Sequence, residues 1–248
     1  MIKKILISQP RPASEKSPYF EIEKKHGVSF LFHQFIRVEG IEPRDFRAQK
    51  VSVLDHTAVV FTSRHAIDHF FTLCKEMRVA IPEDMKYFAV SETISLYIQK
   101  YVQYRKRKVF YPTSGKLIDL YPLMVKHKSE KYLVPLSDIH NDEVQSALDA
   151  NKLDHTECVM YRTVANDYPA DAPKDFEMVV LFTPAGVTSL MQNFPNIKES
   201  GVKIVTFGKA TSVAAAEAGL DIALEAPTAQ SPSITGSLDL YLADNNKA

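Results

Sequence analysis

The chain has 248 residues, 45% of them hydrophobic and 24% charged, with 30 Lys plus Arg against 30 Asp plus Glu. That is length enough for two modest cores, and zero net charge argues against non-specific nucleic-acid binding, which needs a positive field. No segment approaches the ~20 apolar residues of a membrane span, and the N-terminus runs into a strand-like segment without a signal-peptide pattern. Cys74 and Cys158 give neither a CxxC nor a disulfide framework. The reading is a cytoplasmic, monomeric protein with reduced thiols and no nucleic-acid or membrane partner.

Short apolar, β-branched runs alternate with helical patterns along the chain. The strand-like runs are Lys4–Ile7, Val28–Phe32, Ala58–Phe61, Lys108–Tyr111, Tyr132–Leu136, Met178–Phe182 and Lys203–Phe207. Ser17 followed by Pro18 predicts a helix start, with proline at the first helical position. Gly27, Gly201 and Gly219 stand where a helix ends and releases the chain into a strand. This rhythm predicts parallel sheets covered by helices on both faces, a doubly wound α/β architecture of flavodoxin- or Rossmann-like type.

The chain also repeats itself. Phe61–Phe70 matches Phe182–Met191, the segment from Phe88 matches that from Val205, and Tyr111–Leu120 matches the segment from Ala226, in the same order at separations of 121, 117 and 115 residues. A fourth match is out of order: Tyr132–Asp138 and Glu157–Val164 resemble the segments from Ile5 and from Phe30. One domain is therefore discontinuous, 1–36 with 167–248, and the other, 42–158, is inserted in it. The crossings at 35–42 and 159–166 read as extended, which predicts a two-stranded connector and a hinge. The two halves are expected to face each other across a cleft.

In open parallel sheets, ligands bind beyond the carboxyl ends of the strands, at helix N-termini with unpaired N–H groups. The repeated motifs fall there. They supply Arg11, Gly186, Gly208, Lys209, Thr211 and Thr228 in one half, and Thr62, Ser63, Arg64, Ser91, Thr93 and Thr113 in the other. Hydroxyls at such turns also cap helices, but their recurrence in both halves points to an anionic ligand rich in carboxylates or phosphates. Thr93 and Thr211 are expected at equivalent places. His65 and His69 lack a third metal ligand and read as a solvated helical face, and the basic run Tyr104–Lys108 reads as a helix C-terminus. GxGxxG, P-loop, HExxH and GxSxG patterns are absent, so no metal and no cofactor is expected.

Together these segments resemble the uroporphyrinogen-III synthase family. The likeness is carried by Ile5–Pro12, Phe61–Ile67, Ala89–Thr93, Val159–Thr163, Phe182–Val187 and Phe207–Ala215, and it covers nearly the whole chain. Two departures stand out: Ser91 in place of the usual glycine, and Pro184 in place of the usual serine. The resemblance implies two α/β domains joined by a two-stranded ladder, and no cofactor. Its substrate would be hydroxymethylbilane, a linear tetrapyrrole with eight carboxylates, closed with inversion of ring D and loss of water. It implies that Tyr161 assists departure of the hydroxyl and that Thr93 and Thr211 line the cleft. The competing reading is a non-catalytic two-domain clamp for an anionic small molecule.

Overall fold

The computed structural model describes residues 2–245. The strands are β1 (Lys4–Ile7), β2 (Ser29–Phe32), β3 (Ile36–Gly40), β4 (Ala58–Phe61), β5 (Lys86–Ala89), β6 (Val109–Phe110), β7 (Tyr132–Ser137), β8 (His155–Ala165), β9 (Met178–Leu181), β10 (Lys203–Phe207) and β11 (Ile222–Ala226). The helices are α1 (Pro18–His26), α2 (Pro43–Ala48), α3 (Arg64–Glu76), α4 (Glu92–Tyr97), α5 (Tyr121–Val125), α6 (Glu143–Ala150), α7 (Pro184–Asn193), α8 (Lys209–Glu217) and α9 (Ile234–Asn245). The chain divides into two compact units, one of Met1–Arg37 with Val164–Ala248 and one of Val38–Thr163.

The first unit is a five-stranded parallel sheet in the order β11-β10-β9-β1-β2. Its central strands read as unbroken apolar runs because both faces are covered. Alternate residues serve the two sides: Ile5, Ile7 and Val180 pack with Tyr19 and Leu238 of α1 and α9, whereas Leu6, Val179 and Leu181 pack with Val187 and Ala215 of α7 and α8. Helix α1 begins at Ser17-Pro18 and ends on Gly27 at φ +63°, though the Ser17 hydroxyl makes no capping bond.

The second unit holds the order β3-β8-β7-β4-β5-β6. On one face Val59, Phe61 and Leu133 pack with Ile67 and Phe70 of α3. On the other, Val60, Tyr132 and Val134 pack with Met124 and Leu148. The stretch β8-β7-β4-β5-β6 repeats the arrangement β2-β1-β9-β10-β11, with the first two strands of the pattern delivered last by the chain. That permutation is why one of the sequence matches falls out of order.

Strand pairing corrects the register of the first match. Ala58 faces Lys86 as Met178 faces Lys203, so Phe61 corresponds to Leu181 and not to Phe182. The helix caps agree: Ser63 and Thr183 each accept the third helical N–H, from Ala66 and from Gly186. Identity of the two phenylalanines draws the letters one residue off. The basic run Tyr104–Lys108 also lies elsewhere than expected, in the turn leading to β6 and not at a helix end.

Candidate active site

Both units present loops at the carboxyl ends of their strands, and the candidate residues lie in those loops. In the second unit, β4 delivers Thr62 and Ser63. Ser63 Oγ accepts the Ala66 N–H at 3.1 Å and so caps α3, in line with the preference for serine at that position. A hydroxyl used as an acceptor keeps its proton to donate. Arg64 is exposed, and its guanidinium lies over the Tyr97 ring, 5.2 Å from the centroid.

Tyr161 reaches the same place from β8. Leu136 pairs with Val159 but Ser137 pairs with Tyr161, so Met160 is an extra residue in β8. A bulge of this kind bends the strand and re-aims the next side chain. Here it places Met160 and Tyr161 both inside the unit, and Tyr161 is only 8% exposed. Asp138 fixes the strand beyond the bulge: its N–H donates to the Tyr161 carbonyl at 3.0 Å, and its carboxylate accepts the Thr163 N–H at 3.1 Å. The Tyr161 hydroxyl ends 3.4 Å from Ser63 Oγ. Its ring stacks on His69, with centroids 5.4 Å apart and planes at 21°.

His69 is therefore not on a solvated face. His65 is exposed, but His69 is half-buried against Tyr161, and burial, with the nearby His65, lowers its pKa below the ordinary histidine value despite Asp68. Asp68 accepts hydrogen bonds from Tyr97, Lys100 and Tyr101. Burial pushes its carboxyl up, but those three partners and the Lys100 charge together hold it below the usual carboxylate range.

Ser91 caps α4, accepting the Ile94 N–H at 3.4 Å. That helix has only six residues and carries Glu92 in its first turn, which opposes an anion there. Thr93 is exposed in the same turn, and Thr113 is exposed after β6.

In the first unit, Arg11 is exposed, its guanidinium 5.1 Å from the Phe20 ring centroid and 6.0 Å from that of Phe32. Gly186 is buried and its N–H is taken by Thr183; a Cβ there would lie 3.3 Å from Thr183 Oγ1. Gly208 starts α8 at φ +90° and ψ 143°, a conformation essentially confined to glycine. No side chain caps α8; the Thr211 N–H donates to the Gly208 carbonyl at 3.1 Å, which leaves the Lys209 and Ala210 N–H groups to solvent or ligand, beside the exposed Lys209 side chain. Thr228 Oγ1 accepts the Ser231 N–H at 3.1 Å.

Two expectations need correction. Thr93 and Thr211 are not equivalent, because Ser91 and Gly208 are the matching cap positions. Thr93 is then the second residue of α4 and Thr211 the third of α8. Thr211 is also 2% exposed, so its side chain supports the unit and is not presented to a ligand. Sequence reading assigned no site role to His69, read as a solvated face, or to Asp138. The spacing of His65 and His69 on one helical face was the available signal for the first.

The family model described as "Uroporphyrinogen-III synthase HemD" matches residues 20–236. The chain belongs to the uroporphyrinogen-III synthase family. It is an enzyme of that type, a cyclising lyase of heme biosynthesis whose substrate is a tetrapyrrole. Uroporphyrinogen-III synthetase from Helicobacter pylori is similar in structure, with a TM-score of 0.53 at 15% identity over 98% of this chain and 100% of that one. A mutant uroporphyrinogen III synthase from Thermus thermophilus gives a TM-score of 0.47 at 13% identity, over 99% of this chain and 100% of that one. No curated protein matches the chain in sequence. Among the described residues no helix is long and apolar enough to cross a membrane.

Proposed function

We propose that Tyr161 is the acid of the uroporphyrinogen-III synthase reaction in this chain. Hydroxymethylbilane loses its hydroxyl as water, leaving an azafulvene that would close unaided to the wrong isomer. The observation that supports Tyr161 is its placement. This phenol, an O–H donor, is brought by a bulge to the N-cap of α3. Its 3.4 Å contact with Ser63 is longer than an ordinary O–H···O bond, so the proton is not committed and can pass to the leaving oxygen. General-acid help of this kind is worth roughly 10²–10⁴-fold. The pyrrole's own electrons already assist, so the low end applies.

The other candidates hold the substrate. Arg11, Arg64 and Lys209 are exposed cations suited to its carboxylates. The first-turn amides after Gly208 add a fixed positive end, and the Ser63, Ser91 and Thr228 hydroxyls keep protons to donate. Thr62 and Thr113 lie in the same loops, and Thr93 in the first turn of α4. Positioning then decides which carbon of ring D attacks, a form of catalysis that needs geometry more than strong acids. The test is turnover of hydroxymethylbilane by the purified chain, with the isomers separated by chromatography. Type III product is expected, and type I alone would contradict the reading.

A further inference from the structure

Among the described residues the Tyr161 hydroxyl has one hydrogen-bond partner, Ser63, and at 3.4 Å that bond is too long to orient a ring. Something else must hold the phenol where an acid is needed. His69 lies nearly parallel to Tyr161, with centroids 5.4 Å apart and planes at 21°, and His65 stands one turn before it on α3, 6.4 Å from the same ring. Behind His69 runs the end of β3: a Cβ built on Gly40 would meet His69 Nδ1 at 3.0 Å, closer than real Cβ contacts normally come. His69 thus packs against both the Gly40 backbone on β3 and the Tyr161 ring on the neighbouring β8.

We propose that His69 is a positioning residue for Tyr161, a flat ring wedged against Gly40 that fixes the phenol's direction during turnover. This rests on the reading of Tyr161 as the acid. The wedge works as a neutral ring at pH 7, because burial and the neighbouring His65 keep its pKa down despite Asp68. It makes no contact with the reacting atoms. Its signature is therefore a loss of kcat that travels through Tyr161, with substrate binding left alone.

The experiment is a set of steady-state measurements of type III formation. His69→Ala should lower kcat by about 2–10-fold, the scale of one aromatic pair, with KM unchanged. His69→Phe should restore most of that loss, since a flat ring returns. In a Tyr161→Phe background, His69→Ala should cost nothing further. Gly40→Ala should lower kcat like His69→Ala by pushing the wedge, and should add nothing once His69 is alanine. Full kcat in His69→Ala, or an undiminished His69→Ala effect in the Tyr161→Phe background, would overturn the proposal. So would a phenylalanine that rescues nothing. A Tyr161→Phe single variant with wild-type kcat would instead remove the acid role itself, a failure separate from that of the wedge.

Discussion

The two units share one strand arrangement, yet their loops carry different chemistry. At the end of β4 the chain places Ser63, Arg64 and His65, with Tyr161 arriving from β8 and His69 stacked behind it. At the matching end of β9 stand Thr183, Pro184, Ala185 and Gly186, small residues with one capping bond. β2, the strand that matches β8, ends at Phe32 and has no paired residue at the place of Tyr161. The second pair of loops differs in the reverse sense. Ser91 opens a short helix behind an acidic first turn, whereas Gly208 opens α8 with uncapped amides and a lysine. A duplicated fold has thus kept its frame and changed its loops: a buried phenol beside the α3 cap in the second unit, an uncapped helix start beside a lysine in the first.

That division can be broken at the glycine first. Gly208→Ala forces a side chain into φ +90° and should cost about 1–3 kcal/mol, read as a fall in Tm. Ser91→Gly, the reverse change at the matching cap, should cost only a few tenths of a kcal/mol. Equal losses would mean that the two caps are not built differently. The caps shared by both units come next. Ser63→Ala and Thr183→Ala should each cost about 1 kcal/mol, but only Ser63→Ala should also lower kcat, because only Ser63 neighbours Tyr161. A kcat loss in both, measured with melts as control, would spread the chemistry over both units.

The smallest effect concerns pH. Asp68 in the second unit and Asp239 in the first are both held below the usual carboxylate range. Bonds from Lys25 and His26 outweigh burial at Asp239. At Asp68 burial is the largest single influence, yet the bonds from Lys100 and the two tyrosines together outweigh it. A depressed carboxyl stabilises the fold above its ordinary pKa, and that contribution is lost as pH falls through the folded value. Asp68→Asn should therefore lower stability at pH 7 by about 0.2–1 kcal/mol, the scale of a part-exposed pair. The gap from wild type should close as the pH drops below the carboxylate range. Tm followed from neutral pH into acid checks it, and a gap that widened in acid would contradict it.

Much of the frame was legible in the letters. Apolar runs at Lys4–Ile7, Ala58–Phe61 and Met178–Phe182 became central strands because β-branched residues buried on both faces leave little alternative. The ends of helices at Gly27 and Gly219 followed from positive φ. Register was less legible. Phe61 and Phe182 are alike as letters, but a cap oxygen must meet a particular N–H, and that constraint moves the match by one residue. The bulge at Met160 leaves no mark in composition, since an inserted apolar residue looks like any other. His69 was misread for a related reason: periodicity shows which residues share a helical face, but not what packs against it. Thr211 looked like a ligand and is a buried support.

By the proposal above, Tyr161 supplies the proton to the departing hydroxyl. Steady-state kinetics of Tyr161→Phe, with type I and type III product separated, tests it most directly. The account predicts a loss of about 10–10² in kcat, an unchanged KM, and residual product that is still mostly type III. A wild-type kcat, or a full kcat with a raised KM, would contradict it.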